Sequence, residues 1–189
     1  MLAQAILPLL PPLTPAACME IACLRSISPE QQGTELSQRP FRVVHHSTSA
    51  AALIGGGAPP RPGEISLAHG GVLFLDELPE FAPATLNQLR LPLESGAISL
   101  SRAHYRVTYP AGFQLIAAMN PCPCGWLGSG KPCSCDPQKI ARYQQRVSGP
   151  ILDRIDLQVA VSPVNSSRLF EGDTHQEDWL SKLEEARAS

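Results

Sequence analysis

Two adjacent carboxylates, Asp76 and Glu77, end a short apolar run in the segment GGVLFLDELPEF, residues 70–81. A continuous apolar run of this length, closed by an acidic pair, predicts a strand that is buried on both faces of a parallel sheet. The carboxyl ends of such strands are where α/β sheets bind ligands. In a nucleotide hydrolase the first carboxylate holds Mg²⁺, usually through water, and the second polarises the attacking water. The alternative is a surface acidic pair at an ordinary strand end.

Four of the six cysteines crowd into fourteen residues, as two C-x-C pairs separated by eight residues: Cys122, Cys124, Cys133 and Cys135. Four thiolates in two close pairs suit tetrahedral coordination of a structural Zn²⁺, with no open position for catalysis. An iron–sulfur cluster, free thiols, or disulfides in an exported chain are the alternatives. The remaining two cysteines, Cys18 and Cys23, are expected to pack in the core.

The loop between these pairs contains Gly125-Trp-Leu-Gly-Ser-Gly-Lys131, which matches the phosphate-binding pattern GxxxxGK. Pro132 stands where that motif needs a Ser or Thr hydroxyl for Mg²⁺. The bracketing cysteines leave little room for a phosphate cradle that opens a helix. The sequence therefore favours a metal-binding loop over a nucleotide site here.

Strands that alternate with helices predict an α/β domain. Apolar runs predict buried strands at residues 71–75 and 113–118 and a third strand at Leu157–Val161, whereas residues 97–108 alternate as in a hairpin. Helices are predicted for residues 1–10, 15–27 with Thr14 as N-cap, 83–93, 137–147 after Asp136, and 176–187. The segments 28–40 and 50–63 are predicted to be loops because they are rich in Gly and Pro.

The composition excludes several classes of protein. The 189 residues are 43% apolar and 17% charged, with a net charge of -2, which is typical of a folded domain without a strongly basic surface. No apolar run approaches the length that spans a bilayer, and the N-terminal segment lacks the basic start of a signal peptide. Because the clustered thiols also favour a reducing compartment, a cytoplasmic location is expected.

Several segments together resemble the magnesium-chelatase-type AAA+ ATPases, and within them the ComM/YifB group of DNA branch-migration motors linked to natural competence. The resemblance runs from Met1 to about Pro163, in the family's order. Its segments are RPFRVVHHSTSAAALIGGG, PGEISLAHGGVLFLDELPEF, LESGAISLSR, YPAGFQLIAAMNPCPCG and RYQQRVSGPILDRIDL. The resemblance implies a P-loop NTPase core with a mainly parallel sheet flanked by helices.

The resemblance also implies roles for individual residues. Asp76 and Glu77 match the Walker B pair, as Mg²⁺ ligand and catalytic base. Asn120 matches sensor 1, which holds the lytic water or touches the γ-phosphate, although an Asn before Pro is also a common turn opener. Arg154 matches the arginine finger that reaches the nucleotide of a neighbouring subunit.

Other positions carry weaker expectations. Arg146 is a rival for the finger, and a salt bridge to Asp153 or Asp156 is the structural alternative for Arg154. The hairpin with Ser101, Arg102 and Arg106 resembles an insert that the family projects toward the ring pore, where the arginines could contact DNA phosphates. A structural or subunit-contact role is expected for His45-His46, with metal ligation the alternative.

One motif of the family, GxxxxGK[ST] followed by a helix, is not found in its expected place. In the family that loop immediately precedes a helix resembling MLAQAILPLLPPLT, so the expectation is a fragment that begins just after the Walker A loop. Its expected organisation is a partial ATPase core at residues 1–163, with a cysteine-rich insert at 121–136. A linker and the start of truncated lid helices follow at 164–189.

The function expected from the resemblance is that of an ATP-hydrolysing subunit of a ring, taken to be a hexamer, which uses Mg²⁺ and ATP to remodel DNA during branch migration and natural transformation. The chain alone is expected to be inactive. One alternative is a chelatase-type motor that acts on a protein or tetrapyrrole partner. Another is a non-catalytic, zinc-stabilised interaction module.

Overall fold

The computed structural model describes residues 3–28, 38–102, 105–147 and 149–161, together with 182, 183, 185 and 186. Seven α-helices, seven strands and two 3-10 helices, Gln4–Leu9 and Leu78–Glu80, have their bounds within these residues. The helices are α1 (Pro15–Ser26), α2 (Ala50–Ile54), α3 (Glu64–Leu67), α4 (Pro83–Asn87), α5 (Arg90–Ser95), α6 (Pro137–Gln144) and α7 (Gly149–Leu152). The strands are β1 (Phe41–Val44), β2 (Gly55–Gly56), β3 (Arg61–Pro62), β4 (Val72–Leu75), β5 (Ala97–Arg102), β6 (Tyr105–Pro110) and β7 (Gln114–Ala117).

A three-stranded parallel sheet lies at the centre, in the order β1-β4-β7. Its middle strand, β4, is buried along its whole length. Leu73 and Leu75 point into the main core, whereas the ring of Phe74 stacks on Phe41 at 6.2 Å on the other face. This arrangement confirms the predicted α/β fold with a mainly parallel sheet flanked by helices, and it places the ends of three strands at one edge.

β4 begins where the chain passes unusually close to the start of β1. A Cβ on Gly71 would lie 1.9 Å from the carbonyl oxygen of Pro40, so only glycine fits at that position. The same Pro40 oxygen accepts a hydrogen bond from Val72 N at 2.9 Å. The double glycine of the sequence therefore starts the central strand in register with β1.

Local signals placed several elements correctly. The Thr14 side chain accepts a hydrogen bond from Ala17 N at 3.2 Å, and Asp136 Oδ1 accepts one from Gln138 N at 3.1 Å, as N-caps do. β5 and β6 form the predicted antiparallel hairpin. The hairpin is bonded to the residue before β3, because the buried Tyr109 hydroxyl donates to Pro60 O at 2.9 Å.

Other predicted elements differ from the structure. The helix expected over residues 83–93 is divided into α4 and α5, and the first ten residues contain a 3-10 helix, Gln4–Leu9, that includes Pro8. Parts of one predicted loop, residues 50–63, are ordered as α2 and as the short strands β2 and β3. β1 was not predicted as a strand, because its four residues give too short a pattern.

The third predicted strand, Leu157–Val161, is wrong: these residues form no strand. Leu157 and Val159 are 83% and 79% exposed. Alternation of apolar residues makes a strand only where a neighbouring backbone supplies hydrogen bonds. Within the described residues β7 pairs with β4 alone, so no strand is there to receive this segment.

Residues 164–189, expected to hold a linker and lid helices, fall outside the described residues except for 182, 183, 185 and 186. None of the helices in the described part of the chain is long and apolar enough to cross a membrane.

Candidate functional site

The carboxylate turn, residues 76–80, follows β4 directly. Asp76 and Glu77 are both exposed at the carboxyl edge of the sheet, although the strand before them is buried. Glu77 has φ 52 and ψ 49, and it is the one non-glycine residue with positive φ in the described part of the chain. Such conformations cost roughly 1–3 kcal/mol and cluster at functional sites. Its backbone N donates to Asp76 Oδ1 at 2.9 Å, which holds the Asp76 carboxylate against the backbone of the turn.

The end of β7 lies beside this turn. Leu75 is in register with Ala117, Ala118 N donates to Leu75 O at 2.9 Å, and Leu78 N donates to Ala118 O at 2.9 Å. Asn120 is exposed two residues farther along the chain. The structure therefore brings Asp76, Glu77 and Asn120 to the same edge, as expected from parallel strands that end together.

His46, at the end of β1, is a further member of the site that the sequence did not assign. Its Nδ1 lies 3.4 Å from Glu77 Oε2, without the geometry of a hydrogen bond, and it is buried with no hydrogen-bond partner. The His46 ring lies against that of His45 at a tilt of 36°, with ring centroids 4.0 Å apart, and it meets the Phe81 ring edge-on at 6.5 Å. Its position after a parallel strand adjacent to β4 is the signal that could have identified it, but β1 itself had not been predicted.

The two candidate arginine fingers occupy different surroundings. Arg154 is exposed and forms an ion pair with Glu94 of α5, instead of either aspartate next to it in sequence. Arg146 Nη1 contacts Glu80 Oε2 at 3.0 Å, so it is bound to the carboxylate turn of its own chain. Arg154 is thus paired with α5, and Arg146 is paired with the carboxylate turn.

The hairpin strands β5 and β6, which carry the two arginines, form a sheet separate from the one that ends at the carboxylate turn. Arg106 is exposed on β6, opposite Ser101 on β5, and residues 103 and 104 at the tip lie outside the described residues.

The cysteine loop, residues 121–136, brings its four thiols together. The Sγ atoms of Cys122, Cys124, Cys133 and Cys135 all lie within 4.8 Å of one another. The separations are 3.4 Å for Cys122–Cys124, 3.7 Å for Cys122–Cys133 and 3.6 Å for Cys124–Cys133. All four cysteines are free thiols, and Cys122 is fully buried.

The four thiols differ in acidity because they share hydrogen bonds. The backbone N–H of Trp126 is the main cause that lowers the pKa of Cys124, to about 6, and neighbouring thiols assist it. The backbone N–H of Cys135 acts to lower the pKa of Cys133, but burial and the thiols of Cys124 and Cys122 outweigh it and raise that pKa to about 12.

The GxxxxGK match does not form a phosphate cradle. Gly125, Gly128 and Gly130 have positive φ, and Lys131 Nζ lies 4.1 Å above the Trp126 ring instead of facing an open loop. The next helix, α6, begins at Pro137, six residues after Lys131. A phosphate-binding loop needs a helix N-terminus directly after it.

Comparison with known proteins identifies the family that has this fold and this arrangement at the edge of the sheet. The family model described as magnesium chelatase, subunit ChlI, matches residues 1–169. The chain belongs to this family.

Individual relatives are similar over most of the chain. YifB of Escherichia coli strain K12 is 53% identical over 162 residues, which are 85% of this chain and 32% of that protein. The competence protein ComM of Haemophilus influenzae is 52% identical over 162 residues, with the same shares of each chain. The chain thus spans about a third of the length of the curated relatives it matches, and the resemblance to the ComM/YifB group is confirmed.

Proposed function

We propose that the chain supplies the magnesium-binding and water-activating side of an ATP-hydrolysing site in an AAA+ motor. The observation that carries this proposal is the meeting of the carboxylate turn and Asn120 at the carboxyl edge of the parallel sheet. Exposed carboxylates and an amide at this edge fit the chemistry of a nucleotide site, since hard oxygen ligands are what Mg²⁺ prefers. When bound, ATP would supply the phosphoryl group that is transferred to water, and Mg²⁺ would neutralise negative charge on its phosphates.

Each residue has a distinct part in that chemistry. Asp76 holds the metal ion, usually through water, and Glu77 accepts a proton from the attacking water or orients it. Asn120 can both donate and accept a hydrogen bond, so its amide can position the same water or a phosphate oxygen. The nearby His46 limits where the Glu77 carboxylate can turn, because its Nδ1 lies 3.4 Å from Glu77 Oε2.

Arg154 is proposed to complete the site of a neighbouring subunit. Its pair with Glu94 joins two side chains that are 45% and 43% exposed. Surface ion pairs of this kind are worth only about 0–1 kcal/mol, so the guanidinium can exchange Glu94 for a phosphate at small cost. A finger donated from one subunit to the next requires a ring, and a homohexamer is the assembly proposed here.

The proposed coupling is to DNA remodelling, by branch migration during natural transformation. It is supported by the similarity to a protein named competence protein ComM and by the exposed Arg106 on the hairpin. We also propose a cytoplasmic location, because the four clustered thiols are free and need a reducing compartment to remain so.

The direct test is a chimera in which the 162 matching residues of Haemophilus influenzae ComM are replaced by those of this chain. The chimera is expected to hydrolyse ATP when Mg²⁺ is present, and Asp76→Asn is expected to abolish that activity. Asp156→Asn, an exposed carboxylate outside the site, is the matched control and should leave the rate unchanged. A chimera that folds and assembles yet hydrolyses no ATP would contradict the proposal.

The substrate is tested by adding DNA to the same chimera. Stimulation of ATP hydrolysis by branched DNA, reduced in Arg106→Ala, supports a DNA motor. Hydrolysis that is indifferent to DNA but responds to a protein partner would instead support a chelatase-type motor. Zinc binding without any hydrolysis would support a non-catalytic module.

A further inference from the structure

The cysteine loop has the geometry of a closed metal site. The three thiol pairs with measured separations lie 3.4 to 3.7 Å apart. With Zn–S bonds near 2.3 Å, the sulfurs of a tetrahedral ZnS₄ site are separated by about 3.8 Å. A disulfide would need a sulfur separation of about 2.05 Å. The thiols are thus spaced for a single ion at their centre.

The size of the cluster also bears on which metal it holds. All four sulfurs lie within 4.8 Å of one another. Clusters of several irons distribute their cysteines over separate iron atoms, which requires a wider arrangement than four ligands around one ion. A tetrahedral set of four soft thiolates is typical of Zn²⁺.

The backbone of the loop holds the first two thiols on one turn. Gly125, with φ 78, closes the turn that starts at Cys122, and its N donates to Cys122 O at 3.0 Å. Ser129 N donates to Trp126 O at 3.1 Å in the next turn. These two turns direct the chain from the first pair of cysteines back toward the second pair.

We propose that Cys122, Cys124, Cys133 and Cys135 bind one structural Zn²⁺, and that the ion clips the end of β7 to the start of α6. The loop leaves β7 through Asn120 and enters α6 immediately after Cys135. Gln144 Nε2 of α6 also donates to Pro121 O at 3.0 Å, next to the first ligand. The metal thereby fixes the backbone on which Asn120 stands, and its binding does not depend on ATP hydrolysis.

Metal analysis of the purified full chain tests the proposal. About one Zn²⁺ per chain is expected, as for a closed four-ligand site. A Ser at any of the four cluster cysteines should lower that content severalfold, whereas Cys18→Ser and Cys23→Ser, the matched controls outside the cluster, should leave it unchanged. Far-UV circular dichroism of each sample shows that the compared chains share their secondary structure.

Replacement of the metal by Co²⁺ reports on the ligands directly. Intense visible d–d bands and thiolate-to-metal charge transfer are expected for tetrahedral S₄ coordination, and Cys133→Ser should weaken the charge-transfer band. A folded wild-type chain without stoichiometric metal, or with iron in place of zinc, would overturn the proposal. Equal metal loss in Cys18→Ser and in the cluster variants would overturn it too.

Discussion

The carboxylate turn and the cysteine loop leave neighbouring strands at the same edge of the sheet, yet they are held in place by different means. β4, before the turn, is fully buried. Within the turn Glu77 N donates to Asp76 Oδ1, and Leu78 N donates to Ala118 O, which joins the turn to the chain after β7. The cysteine loop has glycines with positive φ and few backbone hydrogen bonds of its own, and its order comes from four converging side chains.

This difference teaches where the stability of a site can come from. A buried strand lends its rigidity to the residues that follow it, so the carboxylate turn needs no ligand to keep its shape. An exposed loop of sixteen residues buries little apolar surface, so it needs a cross-link or a metal to repay the entropy of ordering it. The buried core therefore holds the carboxylate turn in place, whereas the cysteine loop depends on its four thiols.

Removal of Arg154, the proposed arginine finger, is expected to have the largest effect on the rate of ATP hydrolysis. It tests whether the carboxylate turn is completed by a residue of another subunit. Arg154→Ala in the chimera should slow ATP hydrolysis by about 10³–10⁵-fold, because a guanidinium that stabilises charge on the γ-phosphate has that value. Arg146→Ala is the matched control, since Arg146 is paired with Glu80 of its own carboxylate turn. The rates are measured by phosphate release.

Mixed assemblies sharpen the same prediction. Subunits with Arg154→Ala retain their carboxylates, and subunits with Glu77→Gln retain their finger, so mixing the two should restore part of the activity. Failure to recover activity in rings that are shown to contain both subunits would place Arg154 outside the shared site.

A substitution in the buried strand β4 should weaken the part of the core that supports the carboxylate turn. Leu73→Ala is expected to lower the free energy of unfolding by about 2–5 kcal/mol, because Leu73 is fully buried in the core. Leu157→Ala, at the 83% exposed leucine of the segment that forms no strand, should change it by less than about 0.5 kcal/mol. Urea unfolding of the chain followed by circular dichroism measures both. Similar losses in the two variants would mean that residues 157–161 are packed.

Removal of the metal should affect the cysteine loop and leave the carboxylate turn unchanged. With a chelator present, chymotrypsin is expected to cleave after Trp126 and Leu127 several times faster, because these exposed residues sit in a loop that the thiols no longer order. The circular dichroism of the core should stay the same. Cleavage at an unchanged rate would show that the loop is ordered without a metal.

Lys131→Ala should have the smallest effect. The cation–π contact with Trp126 at an exposed site is worth about 0.5–1 kcal/mol, which bounds the loss of stability. The affinity of the chimera for Mg²⁺-ATP should not change, as measured by titration with a fluorescent nucleotide. Nucleotide binding that disappears in this variant would make the loop at Gly125–Lys131 a phosphate site, against the geometry described above.

The sequence predicted those parts of the molecule that depend on local patterns. The buried run of β4 with its two carboxylates, the hairpin, and the caps at Thr14 and Asp136 all follow from residues near one another in the chain. The convergence of the four thiols followed from their close spacing.

Features that depend on distant partners were not predicted. His46 meets Glu77, and Arg154 pairs with Glu94, through contacts between separate elements. The segment Leu157–Val161 has the alternation of a strand, but alternation does not reveal whether a neighbouring strand is available. α4 and α5 are two helices because the chain turns at Gln88 and Leu89. Pro92 is the local signal for this break that the prediction missed, since it has no N–H to donate to the Gln88 carbonyl four residues earlier.

In the function proposed above, the carboxylate turn activates water for ATP hydrolysis through Glu77. The most direct measurement compares ATP hydrolysis by Glu77→Gln and Glu80→Gln in the chimera, since the two glutamates lie in one turn and only Glu77 stands beside Asp76. Glu77→Gln should retain nucleotide binding and lose about 10²–10⁴-fold in rate, the value of a positioned general base, while Glu80→Gln stays close to the unmodified chimera. Unimpaired hydrolysis by Glu77→Gln, or an equal loss in both variants, would contradict the account.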